Sequence, residues 1–166
     1  MKKQKNILGF TLIEIIVVIV IIGLLSTLSF TVLGNSRKKA RDAKRKSDLN
    51  TIGRFVSLSC FKPAAGGSNY DLADLIAEIS LTKPELKNYL KSLPKDPLSG
   101  SDLKSNYTYV VNDEGNKCLL YANLENENET ITLTDLNSPT LSGGVGVLQG
   151  STVGVNDTNI YFQISN

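Results

Sequence analysis

The chain has 166 residues, a formal net charge of +2 and a charged fraction of 20%. It contains neither His nor Trp, and the missing His removes the commonest general base and metal ligand in one stroke. Outside an apolar amino-terminal segment roughly a hundred residues remain, enough for one small soluble domain and too few for two.

Lys2, Lys3 and Lys5 form a basic head, and from Phe10 to Leu33 the one charge is Glu14. A helix over residues 10–33 rises roughly 36 Å, which crosses a hydrocarbon core of about 30 Å with some tilt. A cleaved secretory signal is the competing reading of a basic head before an apolar run. Its apolar region would be only about 7–15 residues long and would end in a small-residue cleavage site. The run here is longer, and Ser26-Thr27-Leu28-Ser29 is the nearest approach to such a site. Glu14 is the more telling residue. An acid inside a membrane helix costs about 2.5–3.5 kcal/mol on insertion scales and needs a partner.

The basic leader, the stretch Gly9-Phe10-Thr11-Leu12-Ile13-Glu14 and the unbroken apolar run after it resemble the amino terminus of type IV pilins and of the pseudopilins of type II secretion systems. The resemblance covers about residues 1–60. It implies that a membrane-embedded prepilin peptidase cuts between Gly9 and Phe10 on the cytoplasmic face and that the new amine of Phe10 is N-methylated. Gly9, without a side chain, lets the backbone approach a protease closely. The resemblance also gives Glu14 its partner, the terminal amine of a neighbouring subunit, which its carboxylate neutralises as a filament grows. Further implied partners are an inner-membrane assembly platform with its ATPase, and membrane lipid before assembly.

Seven basic residues crowd between Arg37 and Lys46, with Asp42 the one acid among them. From Cys60 onward the balance reverses, with seven basic and thirteen acidic residues. The positive-inside rule, taken alone, would place the cluster in the cytoplasm. The family resemblance puts the leader there instead, and the cluster then faces anionic headgroups or the acidic surfaces of neighbouring subunits. With no aromatic residue between its charges, the run reads as a solvated helical face and argues against nucleic acid.

Gly34-Asn35-Ser36 is a possible break, but no proline interrupts residues 37–59, and Ala40, Ala43, Leu49, Ile52, Val56 and Ser59 recur at helical spacing. Residues 34–60 therefore read as an amphipathic extension of the membrane helix. Gly23 stands where the family usually has a glycine, whereas Thr31 stands where many members carry a helix-breaking proline. Residues 62–68 form a loop by composition. Asp71 caps a short helix with Leu72, Leu75, Ile76 and Ile79 on one face, and a second helix is expected from Pro84 to about Leu93. Leu93-Pro94-Lys95-Asp96-Pro97 forbids continued helix and resembles the turn that leads into the sheet in pseudopilins.

Three strands are expected at residues 107–111, 117–122 and 131–134, the first two joined by a hairpin over Asn112–Asn116 in which Gly115 supplies the left-handed position. Residues 136–158, rich in Gly, Ser, Asn and Thr, read as loop, and residues 159–164 as a final strand. Many pseudopilins carry an acidic calcium loop in this region. Asp157 is the one acid nearby, whereas calcium wants six to eight oxygens, so no metal or other cofactor is expected. Cys60 and Cys118 are the two cysteines; outside the cytoplasm they can form a disulfide, and in a reducing setting they remain thiols. A catalytic cysteine would need a base and the chain has no His, so no catalytic residue is assigned.

The expectation is an α+β pilin-like fold, a long amino-terminal helix packed on a small antiparallel sheet. Its parts are a leader over residues 1–9, a transmembrane and polymerisation helix over 10–33, the amphipathic extension over 34–60 and a globular domain over 61–166. The expected function is structural: a subunit that waits in the cytoplasmic membrane with its carboxyl-terminal domain outside the cytoplasm, then joins a helical homopolymer at the cell surface or in the periplasm. A minor pilin that initiates the filament, or that acts at its tip as an adhesin or DNA-binding module, is the alternative.

Overall fold

The structure is a computed structural model in which residues 9–58, 60–64, 69–82 and 94–166 are described, the side chains of residues 28–33 and 55–58 excepted. The second helix expected after Pro84 lies outside the described residues. The chain divides into two compact units, Met1–Arg37 and Lys38–Asn166.

Helix α1 runs over Leu12–Leu58 and contributes to both units. It is uninterrupted at Gly34-Asn35-Ser36. The expected break does not form because Gly and Asn each cost only about 1 kcal/mol or less in a helix interior, and no proline enforces a stop. In the first unit its large apolar side chains point outward on every side, and even Ile16 is 46% exposed. A helix apolar all round is one whose proper surroundings are not water. Among the described residues no helix is long and apolar enough to cross a membrane; the apolar run of the sequence continues into residues 28–33, beyond the described side chains.

In the second unit α1 packs with α2 (Leu72–Thr82) on a five-stranded antiparallel sheet. The strands are β1 (Asn69–Asp71), β2 (Thr108–Val111), β3 (Cys118–Asn123), β4 (Val145–Gln149) and β5 (Ile160–Ser165), in the order β1-β2-β3-β5-β4. The Asp71 carboxylate starts α2 by accepting from the Ala73 amide at 2.9 Å. Leu72, Leu75 and Ile76 turn inward and meet Leu49 and Ile52 of α1 and Tyr109, Leu120 and Phe162 of the sheet in one apolar core. Gly53 allows the close approach of α1 to β5, since a Cβ there would lie 2.9 Å from Ile164 Cδ1. Gly115, at φ +70°, closes the β2–β3 hairpin as expected.

Two expectations for the sheet fail. Residues 131–134 form no strand; the amides of Thr132 and Leu133 both donate to the Val147 carbonyl, which bends the segment against the edge of β4. Residues 145–149, read as loop for their glycine-rich surroundings, form β4 and pair with β5 from Val145↔Ile164 to Gln149↔Ile160. Gln163, on the sheet face away from α1, is fully buried and holds the intervening segment by accepting from the Thr140 amide at 3.0 Å and donating to the Gly144 carbonyl at 3.2 Å.

Candidate functional site

At the start of α1 the sequence Thr11-Leu12-Ile13-Glu14 builds a capping box. The Thr11 amide and hydroxyl donate to Glu14 Oε2 at 2.8 and 2.6 Å, and the Glu14 amide donates back to Thr11 Oγ1 at 3.4 Å. The negative carboxylate thus lies at the positive end of the helix. It also lines a groove of about 320 Å³ with Phe10, Ile13, Val17 and Val18. Phe10 is 82% exposed, and among the described residues nothing would obstruct a side chain at Gly9. On its carboxyl side the Gly9-Phe10 bond is exposed, and the carboxylate four residues beyond Phe10 is engaged by its own first turn.

A second cluster went unread in the sequence. Arg45, taken there as part of a solvated face, is fully buried in the second unit. Its Nε and Nη2 form a fork on Asp96 at 2.7 and 2.8 Å, and its Nη1 lies 2.7 Å from Asp42 Oδ1 and 2.6 Å from Glu125 Oε1. Arg41 pairs with Glu125, Lys44 with Asp48 and Lys46 with Glu129. Four of the seven basic residues thus meet acids of their own chain, while Arg37, Lys38 and Lys39 are exposed. The predicted stripe holds at Leu49 and Ile52 but not at Ala40 and Ala43, with the side chains of Val56 and Ser59 outside the described residues. Ala40 and Ala43 are exposed, while Asp42, Arg45, Asp48, Leu49 and Ile52 make up the buried face.

Asp42 also accepts from the amides of Glu125 and Asn126, both at 2.9 Å, fixing the chain where it leaves β3. Asp96 accepts from the Leu98 and Ser99 amides and from Asn156 Nδ2, each at 2.9 Å. Burial opposes ionisation of Asp96, but the Arg45 fork and these donors outweigh it and hold its carboxyl well below the usual carboxylate range. Burial likewise opposes ionisation of Glu125, and Arg41 and Arg45 hold it low. The two signals available in the sequence were Asp42 inside a basic run, three residues before Arg45, and the Asp96-Pro97 turn.

Cys60 and Cys118 are joined as a disulfide with Cα atoms 5.6 Å apart, linking the segment after α1 to the first residue of β3. Beside it the Tyr109 hydroxyl accepts from the Phe61 amide and donates to the Phe61 carbonyl, both at 2.9 Å. Burial raises that phenol to about 12, so it stays protonated as the double contact requires.

Residues 4–30 match the family described as the prokaryotic N-terminal methylation motif. Over 105 residues, 58% of this chain and 69% of the relative, the sequence is 35% identical to the type II secretion system core protein G of Vibrio cholerae. The protein of the same name from Klebsiella michiganensis is 33% identical over 109 residues, 60% of this chain and 73% of the relative. That from Pseudomonas aeruginosa is 32% identical over 101 residues, covering 58% and 70%. No solved structure matches the chain significantly.

Proposed function

The chain belongs to the family of the type II secretion system core protein G, the pseudopilins, and is a structural subunit rather than an enzyme; from this premise we propose that it is cut between Gly9 and Phe10, N-methylated on Phe10 and polymerised into a helical filament. A prepilin peptidase makes the cut on the cytoplasmic side. The apolar helix over residues 10–33 holds the subunit in the cytoplasmic membrane, with residues 61–166 outside the cytoplasm, until an assembly platform and its ATPase draw it into a pseudopilus.

The observation that carries this reading is the first unit itself. Its helix is apolar on all sides and begins at Leu12, shortly after a Gly-Phe bond that is exposed on its carboxyl side. Such a surface is covered either by lipid or by copies of the same helix, and assembly exchanges one cover for the other. Glu14 is the charge that sets the exchange. In the uncut chain Thr11 satisfies it; after the cut, the Phe10 amine of an adjoining subunit is the counter-charge that a buried carboxylate requires.

The test is the intact mass of chain extracted from membranes. Wild type begins at methylated Phe10, whereas Gly9→Val, which places a branched side chain at the scissile bond, retains Met1. A wild-type chain that keeps Met1 refutes the proposal.

A further inference from the structure

The sheet face away from α1 carries a cleft that filament assembly does not explain. Pairing places Val110, Leu119, Tyr121 and Tyr161 on this face, because Val110 faces Leu119 across β2 and β3 and alternate residues share a side. The segment before β4 is held over the β4–β5 half of the face through Gln163, and its residues Ser138, Thr140 and Leu141 form one wall beside the β2–β3 half, where Leu119 is fully buried and Val110 and Tyr121 are half-buried. A cleft of about 460 Å³ remains, with Val110, Leu119, Tyr121 and Tyr161 among its lining. This lies within the usual volume of a small-molecule site.

Its chemistry is selective. One residue in five of the chain is charged, yet among the described residues no Asp, Glu, Lys or Arg lines the cleft. Asn69, Ser138, Thr140 and Thr152, all exposed, bring neutral groups to its rim, and each amide or hydroxyl both donates and accepts. Tyr121 and Tyr161 meet edge to face, with centroids 6.1 Å apart. The Tyr161 hydroxyl donates to the Thr152 carbonyl at 3.2 Å, which ties this ring to the rim.

Three ligand classes fit poorly. An ion would lose its water with no counter-charge to replace it. A wholly apolar ligand would strip water from the rim hydroxyls and leave them unpaired. A peptide adding as a strand needs free backbone groups, and those of Val110, Leu119 and Tyr121 lie in interior ladders of the sheet. A pyranose ring has what the cleft lacks: an apolar C–H face to lie on an aromatic ring, and a rim of hydroxyls that donate and accept. We propose that this cleft binds a neutral saccharide, its ring against the half-buried Tyr121, which the buried Tyr161 backs, and its hydroxyls on Asn69, Ser138, Thr140 and Thr152. The proposal is independent of polymerisation.

Saturation-transfer NMR on the full chain tests it, in a phosphocholine detergent because a maltoside would compete for the cleft. The probes are N-acetylchitotriose and maltotriose, with trigalacturonic acid as the anionic counterpart. At least one neutral trisaccharide is expected to take up saturation and to bind at least tenfold more tightly than the anionic one. Tyr121→Ala is expected to weaken that binding at least tenfold. Thr152→Glu, which keeps the carbonyl contacted by Tyr161 and adds a negative charge to the rim, is expected to do the same should Tyr121→Ala not fold. Absence of transfer to both neutral probes overturns the proposal, as does equal binding of the anionic probe or unchanged binding by a folded variant.

Discussion

At the residue scale the proposed assembly charge, Glu14, and the buried Arg45 were unequally legible. Glu14 stood out because nothing else from Phe10 to Leu33 is charged. Arg45 was hidden among six other basic residues, and its main partners, Asp96 and Glu125, lie far along the chain. Local spacing does not reveal such a pair. Removing the guanidinium while leaving Asp42, Asp96 and Glu125 buried costs about 3–5 kcal/mol, so Arg45→Ala is expected to melt well below wild type by circular dichroism. The pH response separates the two proteins. In wild type Asp96 and Glu125 are held low, so the unfolded chain takes up protons first as the pH falls. Stability is then full above about pH 5 and declines below about pH 4, where unfolded carboxyls titrate. In Arg45→Ala the buried Asp96 loses its counter-charge while Glu125 keeps Arg41, so Asp96 protonates more readily when folded, and the melting temperature is expected to rise on acidification between pH 7 and 5. A parallel fall in both proteins would contradict this assignment of the network.

At the scale of elements, strong patterns read correctly and weak ones did not. Helix α2 followed from Leu72, Leu75 and Ile76 at helical spacing behind the Asp71 cap, β2 and β5 from runs of β-branched and aromatic residues, and β3 from the apolar run Cys118–Ala122 after the hairpin turn. Strand β4 was missed because Gly143, Gly144, Gly146 and Gly150 gave its neighbourhood the composition of a loop. Its strand state comes from pairing with β5, a tertiary effect that overrides local propensity. Residues 131–134 failed for the opposite reason, since Ile-Thr-Leu-Thr has strand composition but its hydrogen bonds to the edge of β4 converge on Val147 instead of forming a ladder. The Cys60–Cys118 bond, 58 residues apart in sequence, staples the end of α1 to β3. In the chain-entropy account a loop of that length stabilises by on the order of 4 kcal/mol. Alkylation without reductant is expected to label neither thiol, and reduction to lower the denaturation midpoint; full labelling of unreduced protein would rule the bond out.

At the scale of the molecule, the division of labour along α1 was legible from hydropathy alone, with an all-round apolar half followed by a half whose buried face meets the sheet. What the sequence hid was how the second half is held. Its lower turns are fastened by ion pairs to the Asp96 loop and to the chain leaving β3, and its upper turns by the apolar core. The central claim concerns the other half: that the processed chain polymerises through α1, with Glu14 as the assembly charge. Glu14→Ala removes a carboxylate that is costly in hydrocarbon and leaves the Gly9-Phe10 bond untouched, so insertion and cutting are expected to persist. The most direct measurement is to express wild type and Glu14→Ala beside a prepilin peptidase and an assembly platform, confirm by mass that both begin at Phe10, and count filaments by electron microscopy. Abundant filaments from wild type and few or none from Glu14→Ala are predicted. A processed wild-type chain that forms no filament, or a processed Glu14→Ala that forms as many as wild type, would contradict it.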